Sequence, residues 1–231
     1  MSSKYPKKEI ILNDKVEVIW DDIIEMSDGT QLRCDIFKPN DKEKYPVIIT
    51  YGPYGKWLHF SQLYSEQWQR MCEDHPDVPN GSSNIYQNWE VVDPEKWATD
   101  GYIVIRVDSR GAGRSEGVMD LWSYQESVDF AECIEWASQL EYSSGKVGIN
   151  GISYYGMNQW QVASLQPKNL TAMFVWEGAA DYYRELGYHG GIYCSFTEAW
   201  FQKQILTVQN GKGEKGILGD IKKDWVSGPH T

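Results

Sequence analysis

The sequence is poor in positive charge and in paired cysteines, and each shortage argues against a class of protein. Its 22 Lys and Arg are outnumbered by 33 Asp and Glu, which gives a net charge of −11. Nucleic acids and anionic membranes bind basic surfaces, so neither is expected as a partner, and solubility is the simplest role for the acidity. The four cysteines form no C-x-x-C pair, so neither a zinc site nor a redox pair is indicated; they are Cys34, Cys72, Cys133 and Cys194.

Long apolar segments are also missing. No run approaches the ~18 apolar residues of a membrane span, and the first ten residues, MSSKYPKKEI, contain no apolar signal-peptide core. We therefore expect a cytoplasmic protein that has no membrane partner and needs no metal or organic cofactor. The sequence does not indicate an oligomeric state. Cys34 and Cys133 lie in apolar periodic runs and are expected to be small buried side chains.

The chain does contain apolar, β-branched runs that are typical of strands buried on both faces of a parallel sheet. These runs are residues 45–52, 102–108, 146–153 and 171–178. Amphipathic segments predict helices between the second and third runs, over 123–139, and between the third and fourth, over 154–166. Alternating strands and helices indicate an α/β fold built on a mostly parallel sheet.

An antiparallel hairpin is predicted ahead of this sheet. Its strands are residues 16–26 and the segment QLRCDIFKP, and they are joined by a turn at Asp28-Gly29.

The predicted helix over 123–139 should begin with a capping box formed by Ser123 and Glu126. Its apolar positions fall on one face, which should pack on the sheet, while its acidic positions should lie largely off that face. The apolar positions are Phe130, Ala131, Ile134 and Ala137, and the acidic ones are Glu126, Asp129 and Glu132.

Two regions depart from the regular alternation. Residues 57–98 are long, irregular and rich in Trp, Asn, Asp and Pro, which is typical of a functional insertion or a partly helical excursion. After about residue 181 no further buried strand is predicted, and residues 195–208 look helical.

The segment Gly151-Ile152-Ser153-Tyr154-Tyr155-Gly156 joins the third apolar run to the following helix. A serine there would lie at the carboxyl edge of the sheet, where open α/β sheets bind ligands. Small residues on either side relieve the crowding of a sharp bend, and the helix N-terminus offers free N–H groups. The G-x-S-x-x-G spacing is one residue longer than the common G-x-S-x-G elbow. A nucleophile is favoured over a purely structural turn.

Four motifs in order resemble the cocaine esterase and X-Pro dipeptidyl-peptidase (CocE/NonD) family of α/β-hydrolases, which also includes α-amino-acid ester hydrolases. They are the hairpin DGTQLRCDIFKP, TYGPYGK (50–56), DSRGAGRSEG (108–117) and GISYYG (151–156). The resemblance covers about residues 16–195 and implies an α/β-hydrolase fold with an N-terminal antiparallel hairpin.

In that family the tyrosine of the P-Y-x-K motif donates its hydroxyl to the oxyanion hole, and this position is Tyr54 here. The resemblance therefore implies Ser153 as nucleophile, with the Tyr54 hydroxyl and the backbone N–H of Tyr154 as oxyanion donors. A packed aromatic at the rim remains an alternative for Tyr54. The glycines of DSRGAGRSEG have the wrong spacing for a dinucleotide site, so a structural loop held by Asp108 and Arg110 is expected.

The base and acid of a serine hydrolase are not evident. The four histidines are expected to be surface or packing residues; they are His59, His75, His189 and His230. Asp181 follows the fourth apolar run, a position at which an acid is possible, but the resemblance implies that the family's acid comes from beyond the cap. The resemblance implies that residues 1–181 are the N-terminal part of the hydrolase core and that 182–231 begin a helical cap. The fold would then be incomplete, with the base and acid beyond the chain.

Two functions remain open at this level. The chain is the nucleophile-bearing part of a hydrolase of esters or of X-Pro peptides, or it is a truncated, non-catalytic fragment or relic that retains the elbow without base and acid. A small-molecule ester or peptide is the expected substrate. Four aromatic side chains near the cap either line an acyl pocket or pack against the cap; they are Tyr182, Tyr183, Tyr188 and Trp200.

Overall fold

A computed structural model describes residues 7–56 and 59–205. The first strands are β1 (Lys7–Ile11), β2 (Val16–Glu25), β3 (Gln31–Pro39) and β4 (Tyr45–Gly52). Helices α1 (Phe60–Leu63), α2 (Ser65–Asp74) and α3 (Pro94–Thr99) follow. The core continues with β5 (Ile103–Asp108), α4 (Tyr124–Ser138), β6 (Ser143–Ile152), α5 (Tyr154–Ser164) and β7 (Leu170–Trp176).

The described strands β1 to β7 form one mixed sheet in the order β1-β2-β3-β5-β4-β6-β7. The pairs from β1 to β3, and β3 with β5, are antiparallel. The pairs β5–β4, β4–β6 and β6–β7 are parallel. The predicted α/β architecture with an N-terminal antiparallel hairpin is confirmed, and β1 is an additional strand that the sequence pattern did not predict.

Two apolar clusters cover opposite faces of the sheet, because successive residues of a strand point to opposite sides. On one face Ile49 and Ile105 pack with α4 side chains such as Phe130. On the other face their neighbours Ile48 and Val104 join the cluster around Ala98 of α3. Cys34 and Cys133 are fully buried in the first cluster, as predicted.

The last strand is less buried than its sequence predicted. Residues 171–178 were expected to be covered on both faces, yet Phe174 is 54% exposed and Trp176 is 51% exposed. The reason is position, because β7 ends the sheet order and pairs only with β6 among the described strands. An apolar run alone does not distinguish a central strand from such an edge.

Helix α4 begins with half of the predicted capping box: the Ser123 hydroxyl accepts a hydrogen bond from the Glu126 N–H at 3.1 Å. The Glu126 carboxylate accepts from the Trp122 N–H and not from that of Ser123, whose N–H donates to the Asp120 carbonyl. The prediction that Glu126 and Asp129 lie off the buried face is wrong, because their side chains are 7% and 1% exposed. Both carboxylates can be buried because each has a polar partner: Glu126 binds the Tyr154 hydroxyl, and Asp129 binds Arg110.

The insertion 57–98 is partly helical, as one of its two interpretations predicted, since it contains α1, α2 and the start of α3. Phe60 packs edge-on against Trp68 and Trp89, with ring centroids 5.2 and 4.8 Å apart. After β7 come a π-helical turn (Tyr183–Gly187), the short strands β8 (Tyr188–His189) and β9 (Ile192–Tyr193), α6 (Phe196–Trp200) and a second π-helical turn (Phe201–Ile205). The remainder of the predicted helix 195–208 and of the predicted cap 182–231 lies outside the described residues.

Candidate active site

Ser153 occupies the bend between β6 and α5, at the carboxyl end of a strand that pairs in parallel with β4 and β7. Its φ is 57° and its ψ is −116°. A residue other than glycine held at positive φ costs on the order of 1–3 kcal/mol, and such residues cluster at functional sites. The side chain is only partly buried, so the hydroxyl is not enclosed in a dry apolar layer.

Backbone hydrogen bonds hold this strained bend. The Ser153 N–H donates to the Trp176 carbonyl oxygen at 3.0 Å, which ties the bend to the end of β7. The Ser153 carbonyl accepts from the N–H groups of Gly156 and Met157 at 2.9 and 2.7 Å, which starts α5. The preceding N–H, that of Ile152, donates to the carbonyl of Glu90 in the insertion at 3.1 Å. Three separate segments therefore fix the serine.

The two glycines of the motif are required because neighbouring atoms leave no room for a Cβ. A Cβ on Gly151 would lie 2.1 Å from the Cβ of Tyr155, and one on Gly156 would lie 2.4 Å from the Trp176 carbonyl oxygen. The second glycine therefore comes three residues after the serine because that residue is the one that faces the end of β7. This contact explains the longer G-x-S-x-x-G spacing.

Tyr155 fills the position at which the common elbow has its second glycine. Its ring packs against the end of β4, where a Cβ on Gly52 would lie 2.6 Å from the Tyr155 Cε1. The large side chain is accommodated because Gly52 has none.

Tyr54 follows β4 and is 5% exposed. Its ring packs edge-on against both residues that follow the serine, with centroids 5.9 Å from Tyr154 and 5.5 Å from Tyr155. The phenol oxygen accepts a hydrogen bond from Nε1 of Trp200 at 2.9 Å. Burial, and then the nearby charge of Glu90, raise the pKa of Tyr54 well above its ordinary value, so the phenol stays protonated.

Tyr154 is the first residue of α5, and the N–H groups of a helix's first turn lack carbonyl partners inside the helix. Its side chain is fully buried, and its hydroxyl lies 2.6 and 2.7 Å from the two carboxylate oxygens of Glu126. Glu126 also accepts from the Trp122 N–H at 2.7 Å. Burial raises the pKa of Glu126 to about 7. The S-x-x-E pattern identified Glu126 only as a capping residue.

The loop that carries Tyr54 is anchored by a buried ion cluster around Lys56. Its Nζ lies 2.7 Å from Oδ1 of Asp35 and 3.1 Å from Oδ1 of Asp21, while its N–H donates to Oδ1 of Asp108 at 2.7 Å. Arg114 adds a contact of 2.8 Å to Asp21. Three of the four motifs that carry the family resemblance therefore meet here: Asp35 comes from within β3, Lys56 from the loop after β4, and Asp108 from the end of β5.

The DSRGAGRSEG loop is held by its charged residues, in agreement with the structural interpretation. Arg110 forms a bidentate pair with Asp129, with Nε–Oδ2 and Nη2–Oδ1 distances of 2.7 and 2.8 Å. It also lies 2.9 Å from Asp28 in the hairpin turn. Asp108 fixes the start of the loop through its hydrogen bond from the Lys56 N–H.

The described residues provide no base for Ser153, whose Oγ is hydrogen-bonded to none of them. His59 lies in the insertion, where its backbone forms a β-bridge with that of Asn88, whereas His75 and His189 are exposed. Asp181 binds the exposed Arg184 at 2.6 Å. His230 lies outside the described residues.

The aromatic candidates near the cap separate into two groups. Trp200 is 7% exposed, and Tyr182 packs on Trp122 with centroids 5.2 Å apart. Tyr183 and Tyr188 stack on each other and are 63% and 37% exposed.

No group of three or more His, Cys, Asp or Glu in residues 7–56 and 59–205 is placed to hold a metal ion. In the same part of the chain, no helix is long and apolar enough to cross a membrane.

Known proteins resemble this chain in sequence and in fold. The sequence model of the X-Pro dipeptidyl-peptidase (S15) family matches residues 28–226. The chain is 28% identical over 169 residues to a cocaine esterase of Rhodococcus, covering 73% of the chain and 25% of the esterase. It is 27% identical over 216 residues to a putative Xaa-Pro dipeptidyl-peptidase of Bacillus anthracis, covering 83% of the chain and 33% of that protein.

Among solved structures, a CocE/NonD family hydrolase from Staphylococcus aureus superimposes with a TM-score of 0.71 at 36% identity, covering 83% of this chain and 33% of that one. An α-amino acid ester hydrolase shares the fold with a TM-score of 0.60 at 17% identity. The chain thus spans about a quarter to a third of these relatives. With its mixed sheet and strand–Ser153–helix bend, the chain belongs to the X-Pro dipeptidyl-peptidase (S15) family of α/β-hydrolases.

Proposed function

We propose that this chain is the nucleophile-bearing part of a serine hydrolase that acts on esters or peptides. The observation that carries the proposal is the positive-φ bend that holds Ser153 at the carboxyl edge of the sheet, with the Tyr54 ring against the two residues that follow it. A serine in a strained strand-to-helix bend is the arrangement in which α/β-hydrolases present a nucleophile.

In this proposal the Ser153 Oγ forms a bond to the carbonyl carbon of the substrate and loses its proton to a general base. The carbonyl oxygen becomes an oxyanion, which accepts hydrogen bonds from the Tyr54 hydroxyl and the Tyr154 N–H. The bond to the leaving alcohol or amine then breaks as that group takes up a proton, and water hydrolyses the acyl-enzyme. The base and its orienting acid would come from the part of the protein that is not in this chain.

The two oxyanion donors have suitable physical properties. Tyr54 is a phenol whose pKa is raised, chiefly by burial, so it stays neutral, and it lies in a buried, aromatic surrounding that strengthens electrostatic contacts. The Tyr154 N–H belongs to the first residue of a helix, at the positive end of its dipole. Loss of one such donor typically slows acyl transfer by about 10²–10³-fold.

The names of the relatives support two substrate classes. One relative is named as a cocaine esterase and another as a putative Xaa-Pro dipeptidyl-peptidase. We infer a small-molecule ester or a peptide as substrate, and the described residues do not favour one over the other.

A fluorophosphonate probe tests this proposal because it reacts covalently with activated serines. The protein at its full encoded length should be labelled at Ser153, and the S153A variant should not be. Labelling of the 231-residue chain alone should be slower by several orders of magnitude, because a serine without its base retains little reactivity. An unlabelled full-length protein would rule out the proposal.

The second candidate is a non-catalytic protein that retains the elbow, and the lack of a described base hydrogen-bonded to Ser153 favours it. The two candidates predict different genomic sequences downstream of codon 231. An in-frame coding sequence that contains a later aspartate and histidine supports the hydrolase, whereas a stop codon without a coding remnant supports the non-catalytic protein.

A further inference from the structure

Trp200 reaches the candidate oxyanion hole from a distant part of the chain. It lies at the end of α6, 146 residues after Tyr54, and its Nε1 donates to the Tyr54 phenol oxygen at 2.9 Å. Both side chains are buried, with 7% and 5% of their surfaces exposed. No sequence motif pointed to this contact.

The direction of this hydrogen bond determines what the phenol can do. An indole N–H is only a donor, so the Tyr54 oxygen must be the acceptor and its own proton is not used in the contact. A phenol hydrogen rotates to suit its partners, and an N–H already bonded to the oxygen excludes it from that side. Within the described residues the Tyr54 oxygen has no other hydrogen-bond partner. The proton is therefore left for a third group.

The indole itself is held in place by stacked rings. Trp200 stacks on Trp122 with centroids 5.2 Å apart and planes at 16°, and Trp122 stacks on Tyr154 at 5.3 Å and 21°. The Tyr154 hydroxyl in turn binds Glu126. The Nε1 position is thus fixed by an aromatic stack that ends on the residue next to Ser153.

We propose that Trp200 is a positioning residue that directs the Tyr54 hydroxyl proton toward the oxyanion, so that the oxyanion hole is complete only when α6 is packed in place. This inference rests on the proposed hydrolase function. Accepting the indole N–H also makes the phenol a stronger donor, because hydrogen bonds in a chain polarise one another.

A double-mutant cycle tests the inference with the rate of fluorophosphonate labelling in the protein at its full encoded length. Y54F should slow labelling of Ser153 by about 10²–10³-fold. W200F keeps an aromatic ring but removes the N–H, and should slow labelling by about 3- to 10-fold. In the Y54F background W200F should change the rate by less than about 2-fold, because its effect passes through the Tyr54 hydroxyl.

W122F is the matched control. It shrinks a ring of the same stack and removes an N–H that has no hydrogen-bond partner among the described residues. Any slowing that it causes should be smaller than that of W200F and should persist in the Y54F background. If W122F and W200F slow labelling equally, and in both backgrounds, Trp200 acts only by packing and the inference is wrong.

A second readout does not depend on the chemistry of Ser153. In protein labelled with ¹⁵N, the Trp200 indole resonance is identified by its loss in W200F. Y54F should shift that resonance and speed its exchange with solvent, because the acceptor oxygen is gone. If the Trp200 resonance is unchanged in Y54F, or if W200F is labelled at the wild-type rate, the inference is wrong and the proposed function is unaffected. Absence of Ser153 labelling in the wild type would instead overturn the proposed function, and the inference with it.

Discussion

Replacement of Lys56 by Met tests whether the buried ion cluster supports the Tyr54 loop. Lys56 is 4% exposed and its Nζ contacts two carboxylates, those of Asp35 and Asp21, which are both fully buried. Met has a similar length and leaves little empty space, so the main change is the loss of the positive charge. The variant leaves both carboxylates with fewer counter-charges in a medium of low dielectric constant.

The expected loss of stability is large. Breaking a buried ion pair by removing one partner costs about 3–5 kcal/mol, out of a total unfolding free energy that is about 5–15 kcal/mol for typical proteins. With a urea m value of about 2–3 kcal/mol/M, the unfolding midpoint should fall by about 1–2.5 M. Urea unfolding followed by tryptophan fluorescence measures this change. K44M, at an exposed position before β4, is the control and should shift stability by less than about 0.5 kcal/mol.

The loss should also depend on pH in a definite direction. Burial raises the pKa of Asp35, and Lys56 is the main influence that lowers it. Without Lys56 the folded-state pKa of Asp35 rises further, and this destabilises the folded protein wherever Asp35 is ionised in the unfolded state. This destabilisation is absent at low pH, where the carboxyl is protonated in both states. It appears as the pH rises past the unfolded-state pKa. The difference between K56M and wild type should therefore be larger at pH 7 than at pH 4. A difference below about 1 kcal/mol at pH 7, or one independent of pH, would refute this account of the cluster.

Two further predictions concern the bend and the helix beneath it. In G156A the new Cβ would meet the Trp176 carbonyl oxygen at 2.4 Å, so we expect about 3 kcal/mol of destabilisation in urea and a loss of Ser153 labelling of about 10²-fold or more; near-wild-type values in both assays would contradict the steric argument. Burial raises the pKa of Glu126 from 4.5 to about 7, so the neutral carboxyl stabilises the folded state below about pH 4.5 and that contribution is lost as the pH rises to about 7. E126Q stays neutral and still accepts a hydrogen bond. Its unfolding free energy in urea, relative to wild type, should therefore rise by up to about 3 kcal/mol between pH 4.5 and pH 8. A difference that does not change with pH would show that the pKa of Glu126 is not raised in the folded protein.

The order of the elements could be read from the sequence because local patterns specify it. The apolar runs at 45–52 and 102–108 became β4 and β5 with bounds within one residue, and the turn at Asp28-Gly29 joined β2 to β3. Sheet order could not be read in this way, because it depends on contacts between distant segments. The exposure of Phe174 and Trp176 follows from that order and not from their own sequence.

The candidate site likewise contains some residues that the sequence predicts and others that it does not. Ser153 and the glycines around it are adjacent in sequence and produce a recognisable pattern, and Tyr54 was found only through a family motif. Trp200 lies far along the chain, and its contact with Tyr54 left no sequence signal. Glu126 was misplaced because a charged residue is normally expected on the solvent side of a helix, and its burial depends on hydrogen bonds from the distant Tyr154 hydroxyl and from the Trp122 N–H.

The packing of Tyr155 against Gly52 means that two positions a hundred residues apart share one volume. A homologue with a small residue at position 155 would leave a gap that a larger side chain at position 52 could fill, whereas a change at position 52 alone would drive the Tyr155 ring into the serine bend. The two positions should therefore vary together across the family, and a search pattern that demands glycine two places after the serine would overlook every member built like this one.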